Sequence, residues 1–170
     1  MSLILGVDPG VTGAMALLQD GHILAVWDHS TWCNAHKPYL ALRDFLRSEV
    51  YVPNIVVIEQ QHARATRDAH GRVVQGIAST WNYAQHYGIV LGCLSLFDVP
   101  IHEVDPGVWK GNMHLSGGKK NKKESLEFAR KLWPDRLSFF KRVQDHGRAE
   151  AALLAFYGLR FLPMSARRVL

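Results

Sequence analysis

Two carboxylates each stand directly after a short apolar run: Asp8 follows Leu3-Ile4-Leu5-Gly6-Val7 and precedes Pro9-Gly10, and Glu59 follows Ile55-Val56-Val57-Ile58. A continuous apolar run bounded by turn-formers reads as a strand covered on both faces, and loops at strand ends are where a rigid scaffold presents chemistry. If the two strands are neighbours, the two acids end side by side. Like charges held close raise each other's pKa, so the pair is costly unless a cation sits between them. Hard oxygen ligands with positions left for water and phosphate suit Mg²⁺ or Mn²⁺. Further ligands from the last helix would complete a site for two ions roughly 3.5–4 Å apart, able to activate water and stabilise the leaving oxygen of a phosphodiester.

That last helix runs from Asp145 or His146 to Phe161, and its first turns carry Asp145, His146 and Glu150. His146 and Glu150 are four apart and share one face, whereas Asp145 meets Glu150 only from a non-helical N-cap turn. Spacing prefers His146 and charge prefers Asp145. Lysines near the carboxylates would hold the scissile phosphate. Between Lys110 and Arg148 there are eleven Lys or Arg against four Asp or Glu, a surplus of seven that exceeds the +5 of the whole chain. Such a localised cationic stretch favours a polyanionic partner.

The remaining elements must position these groups. After Asp8 come two more apolar runs, Gly13 to Leu18 and His22 to Trp27, separated by Gln19-Asp20-Gly21, which with the first strand predict an antiparallel meander. Apolar residues at Leu40, Leu42, Phe45 and Leu46 fall near helical spacing. Gln60 to Val73 is polar and basic, with Arg64, Arg67 and Arg72, and reads as an exposed loop. Ile77, Trp81, Ala84, Tyr87, Leu91 and Leu94 predict a long helix over 74–96, which Gly88 and Gly92 either kink or open to close packing. Pro100 to Val104 is a fifth strand. Asp105 to Lys123 reads as a flexible loop holding Lys110, Lys119, Lys120, Lys122 and Lys123, and Glu124 to Trp133 as an amphipathic helix stopped by Pro134. Three successive strands, then strands alternating with helices, give an α/β fold: a mixed five-stranded sheet, antiparallel first and then parallel, flanked by helices.

At 170 residues and 48% hydrophobic, the chain is expected to form one domain over 1–162 with a short basic tail at 163–170. Cys33 and Cys93 lie far apart, and nine scattered histidines form no zinc-ligand spacing, which fits a reducing cytoplasm. With a strand beginning at residue 3 and no apolar run near the roughly 18 residues of a membrane span, a soluble, unprocessed protein without a membrane partner is expected.

Gly6-Val7-Asp8-Pro9-Gly10 with Thr12-Gly13, Ile58-Glu59-Gln60, Val104-Asp105-Pro106 with Trp109-Lys110, and Asp145-His146-Gly147-Arg148-Ala149-Glu150-Ala151 together resemble the RuvC-like Holliday-junction resolvases, in the right order across residues 3 to 162. The resemblance implies an RNase H-like fold, a homodimer, a divalent-metal site with no nucleotide cofactor, and paired symmetrical nicks in four-way DNA junctions that leave 5′-phosphate and 3′-hydroxyl ends. It places the chain in DNA recombination and repair, in a bacterial or phage-infected cell. Asp8 and Glu59 match the first two catalytic carboxylates and Glu150 the last. Many relatives carry Asp-x-x-Asp on this helix, but here Gly147 stands three before Glu150, so His146 or Asp145 must substitute. Lys110 and one of Lys119, Lys120 or Lys122 match basic residues around the phosphate. The 74–96 helix matches the dimer element, and the 60–73 loop the one that probes the junction centre.

Three other functions compete. One is a junction-binding protein on the same fold without catalysis, motivated by His146 and Gly147 where relatives have acids. The second is a nuclease for RNA or RNA/DNA hybrids, because phosphate contacts do not specify the sugar. The third is a sugar-kinase-like phosphotransferase suggested by Asp8-x-Gly10-x-Thr12, which would need a second phosphate loop and a longer chain.

Overall fold

The computed structural model describes residues 1–10, 12–29, 44, 52–62, 70, 76–96, 99–116 and 121–163. Apart from Asp44, the helix expected near Leu40 to Leu46 lies outside these residues, as do most of the 60–73 loop with Arg64, Arg67 and Arg72, the tail after Pro163, and Lys119 and Lys120. The strands are β1 (Leu3–Asp8), β2 (Ala14–Gln19), β3 (His22–Asp28), β4 (Ile55–Glu59) and β5 (Ile101–Val104). The described helices are α1 (Ile77–Leu94), α2 (Pro106–Asn112), α3 (Asn121–Leu132) and α4 (His146–Phe161), with 3₁₀ turns over Pro134–Phe140 and Val143–Asp145.

The strands form one sheet in the order β3-β2-β1-β4-β5. β1 pairs antiparallel with β2, and β2 with β3, while β1–β4 and β4–β5 are parallel. This is the expected RNase H-like mixed sheet. The β2–β3 hairpin turns on Asp20 and Gly21, both at positive φ (47° and 91°), the pairing that a two-residue turn matching strand twist requires.

Because strand side chains alternate, each face has its own set. Ile4, Ala14, Ala16, Leu18, Ile55, Val57 and Val104 pack with α4 and Trp109, whereas Leu5, Val7, Met15, Leu17, Val56 and Ile58 pack with Val90, Cys93 and Leu94 of α1. α4 is buried through Ala149, Ala151, Ala152, Leu153, Leu154, Ala155 and Gly158. Its small residues let the backbone lie low on the sheet. At Gly6 of β1 a Cβ would run into the Ala151 carbonyl oxygen and the Ala155 nitrogen. The N-terminus of α4 is tied to the end of β3 by Arg148, whose Nε and Nη2 donate to the two carboxylate oxygens of Asp28 at 2.6 and 2.5 Å. No described helix is long and apolar enough to cross a membrane.

Two expectations shift. The stretch 105–123 is not all loop: α2 occupies Pro106–Asn112, begun by Asp105, whose Oδ1 accepts from the Gly107 nitrogen at 2.6 Å. An N-cap acid followed by Pro at the first helical position is a start signal, and it outweighs the two glycines within. α3 also begins three residues earlier than expected, so Lys122 and Lys123 belong to its first turn. Helix 74–96 is observed as a continuous α1 from Ile77, with Gly88 and Gly92 facing open space.

The Gly6 contact predicts that Gly6→Ala lowers stability by about 3 kcal/mol or more, beyond ordinary overpacking because the obstruction is backbone. Gly111→Ala, where a Cβ meets nothing within 4 Å, should be neutral or stabilising. Urea denaturation of both variants measures the difference.

Candidate active site

The β1–β4 register pairs Ile4 with Ile55 and Val7 with Ile58, so the next step along both strands sets Asp8 beside Glu59. Both project to the α4 face, since they continue the alternation of Ile4 and Gly6 on one strand and Ile55 and Val57 on the other. The low seat of α4 brings Glu150, 8% exposed, to the same place. Lys110 arrives from α2, its Nζ 3.2 Å from Glu150 Oε1 and 3.6 Å from Glu59 Oε2. The indole Nε1–H of the fully buried Trp109 donates to Glu59 Oε2 at 2.9 Å. Ser125 of α3, also fully buried, donates from Oγ to Glu150 Oε1 at 3.2 Å.

The electrostatics follow from this crowding. Burial, then Glu150 and Glu59, push the Asp8 carboxyl up to about 7, against the pull of the Gly10 N–H (3.0 Å) and Lys110. Burial also raises Glu59; Lys110 and the Trp109 N–H pull it down while Glu150 pushes it up. Among the described residues, three acids acting on one another with a single ammonium between two of them form a site short of positive charge. Among the described residues no three His, Cys, Asp or Glu side chains are gathered tightly enough to chelate one ion. The donor chemistry still fits a hard divalent cation: carboxylate oxygens, partly desolvated, whose mutual repulsion such a cation would relieve.

The other expected residues fall elsewhere. Asp145 is buried and held by Arg142, whose backbone nitrogen donates to Oδ2 at 2.7 Å and whose Nε donates to Oδ1 at 2.9 Å. It completes a reciprocal cap on the turn leading into α4. His146 begins α4 and lines a groove of about 750 Å³ with Lys123, Leu126, Arg130, Arg142 and Val143. Lys123 is exposed there and pairs with Glu127 at 3.8 Å. Position 147, three before Glu150, is closed to any acid: a Cβ on Gly147 would strike the Thr12 carbonyl oxygen and crowd Gly13. Arg64, Arg67, Arg72, Lys119 and Lys120 lie outside the described residues, and the side chain of Lys122 is likewise not described.

Two solved structures share this architecture over nearly their whole length. Thermus thermophilus RuvC in complex with a Holliday junction substrate superposes with a TM-score of 0.60 at 15% identity, covering 94% of this chain and 96% of that one. A second Thermus thermophilus RuvC structure gives 0.54 at 18% identity, covering 92% and 95%. The chain has the RuvC fold. No family model and no curated protein sequence matches it. The likeness to RuvC is therefore one of architecture.

Sequence reasoning missed Ser125 and gave Trp109 no role of its own. Their only linear signal is adjacency: Trp109 precedes Lys110, and Ser125 is flanked by charged and apolar residues of an amphipathic helix. An Asp8 carboxyl that titrates near 7 rather than 3.8 binds its proton more tightly when folded, so its contribution to stability is lost as pH rises from about 3.8 through 7. Asp8→Asn, which removes the charge and keeps the shape, should therefore raise the melting temperature of the metal-free protein at pH 8 by roughly 2–6 °C. Little change is expected at pH 4, and calorimetry at the two pH values tests the difference.

Proposed function

We propose that the chain is a divalent-metal-dependent endonuclease that resolves four-way DNA junctions by paired symmetrical nicks, leaving 5′-phosphate and 3′-hydroxyl ends. The observation that carries this reading is the in-register ending of β1 and β4 on Asp8 and Glu59, with Glu150 above them and Lys110 between the two glutamates. The RuvC fold, and the junction bound by one RuvC of that fold, support the substrate.

Asp8, Glu59 and Glu150 would hold Mg²⁺ or Mn²⁺, two ions per site. Asp145, both of whose oxygens Arg142 engages, and His146, which lines the groove beside α3, are not assigned to the metal. Bound by the three carboxylates, such ions would supply activation of water and stabilisation of the leaving oxygen. The chain's own groups do the rest. The ammonium of Lys110 neutralises a phosphate oxygen brought to the carboxylates, and the walls of Trp109 and Ser125 keep Glu59 and Glu150 out of bulk water. Arg64, Arg67, Arg72, Lys119, Lys120, Lys122 and Lys123 are proposed to hold the arms of the junction through phosphates.

Two coordinated cuts call for two copies. The outward face of α1 suits their association: Trp81 is 67% exposed, and Ala84, Gly88 and Gly92 leave the helix backbone open to a close neighbour. Gly88→Glu should convert a dimer at micromolar concentration into a monomer by sedimentation, without loss of helix by circular dichroism. A monomeric wild type that cuts symmetrically would contradict the dimer.

The central test is cleavage of a labelled four-way junction, an RNA/DNA hybrid and a linear duplex, with Mg²⁺ or EDTA. Junction-selective nicking with Mg²⁺ is expected, falling by more than about 100-fold in Asp8→Asn, Glu59→Gln and Glu150→Gln while binding is retained. At limiting Mg²⁺ the rate should climb as pH passes about 7, because the ion needs Asp8 deprotonated. Tight binding by wild type without any cleavage would instead assign a non-catalytic junction binder, and preference for the hybrid would reassign the substrate.

A further inference from the structure

Two neutral donors and one cation sort the oxygens of the two glutamates. On Glu59 the Trp109 N–H and Lys110 both address Oε2, at 2.9 and 3.6 Å. On Glu150 the Ser125 hydroxyl and Lys110 both address Oε1, at 3.2 Å each. The opposite oxygens are held far less: Glu59 Oε1 meets only a long contact from Gln61 Nε2 at 3.5 Å, and Glu150 Oε2 has no hydrogen-bond partner among the described residues. Among the described residues, each carboxylate is thus anchored by one oxygen and open at the other. The anchors are themselves immobile, because Trp109 and Ser125 are fully buried and sit on different helices, α2 and α3.

We propose that Trp109 and Ser125 are positioning residues that fix the rotation of the Glu59 and Glu150 carboxylates, so that the opposite oxygen of each is reserved for the divalent-metal site beside Asp8. This rests on the reading of the carboxylates as a metal site. Outer donors of this kind restrict a ligand to one orientation, and their removal typically weakens metal binding 10–100-fold. Lys110 cannot do this alone, since a flexible ammonium can follow either carboxylate as it turns. An indole N–H and a buried hydroxyl cannot follow. The chemistry also explains why α2, a helix of only seven residues, is fixed at its start by Pro106 and the Asp105 cap: its placement sets the Trp109 N–H.

The test is Mn²⁺ affinity of the whole chain by electron paramagnetic resonance, beside the Mn²⁺ dependence of junction cleavage. Trp109→Phe keeps the ring packing and loses the N–H; Ser125→Ala loses only the hydroxyl. Leu153→Ala, a buried apolar deletion on α4, controls for general loosening. Each of the first two variants should weaken Mn²⁺ binding roughly 10-fold and shift the metal dependence of cleavage equally, while Leu153→Ala lowers the melting temperature and leaves Mn²⁺ affinity in place. Ser125→Ala decides the matter should Trp109→Phe fail to fold. Wild-type affinity in folded Ser125→Ala, or an equal loss in Leu153→Ala, overturns the positioning role while leaving the metal site intact. If wild type binds no Mn²⁺, or Asp8→Asn binds it as well as wild type, the metal reading falls and the positioning role with it.

Discussion

The contact on which the rest depends is the seat of α4 on β1 at Gly6, where helix backbone meets strand with no side chain between them. Helices usually rest on sheets through a layer of large side chains, about 10 Å away. Here Ala151, Ala155 and Gly158 on one side and Gly6 on the other remove that layer locally. Glu150, adjacent to Ala151, is thereby lowered to the level of the strand ends. A larger residue at Gly6 would raise the helix and separate Glu150 from Asp8 and Glu59 together.

That closeness has an electrostatic cost. Burying three interacting acids raises the free energy of the folded state, and Lys110 offsets only part of it by standing against two of the three. Asp8, the acid with the least help, responds by holding its proton toward neutrality. The cost is borne by the core on both sheet faces, each of which buries large apolar side chains such as Trp109, Ile4 and Phe140 on one and Met15 and Ile58 on the other. A divalent cation bound among these acids would offset that cost, and its binding would then be coupled to folding stability.

The strands could be read from the sequence because each apolar run is short and closed by turn residues, and the mixed sheet because a three-strand meander followed by strand–helix alternation admits few topologies. The same pattern delivered Asp8 and Glu59, since a carboxylate after a buried run is visible in one dimension. Glu150 and His146 were visible as a helical face. What stayed hidden depends on contacts between distant elements. α2 was obscured by Gly107 and Gly111, which mimic loop punctuation, and the roles of Trp109 and Ser125 exist only once α2 and α3 are docked. Gly147 is the sharpest case: its identity reads as a missing acid, but the Thr12–Gly13 backbone lies where any side chain would go. Arg142 sits three residues before Asp145 and closes around it in a way that spacing alone does not reveal.

Strand alternation also divides the labour between the two faces of the sheet. Along β1, Ile4, Gly6 and Asp8 belong to the α4 face, and Leu5 and Val7 to the α1 face. A one-residue slip of β1 against β4 would exchange these sets, putting Asp8 under α1 and a large apolar side chain, Leu5 or Val7, where Gly6 must admit a helix backbone. The carboxylate cluster and the apolar core therefore enforce the same register, and neither can shift without breaking the other. Because α1 covers the opposite face and turns Trp81, Gly88 and Gly92 outward, a second molecule docking there would leave the approach to Asp8, Glu59 and Glu150 clear. Association on one face and chemistry on the other would allow each to change without disturbing the residues that the other requires.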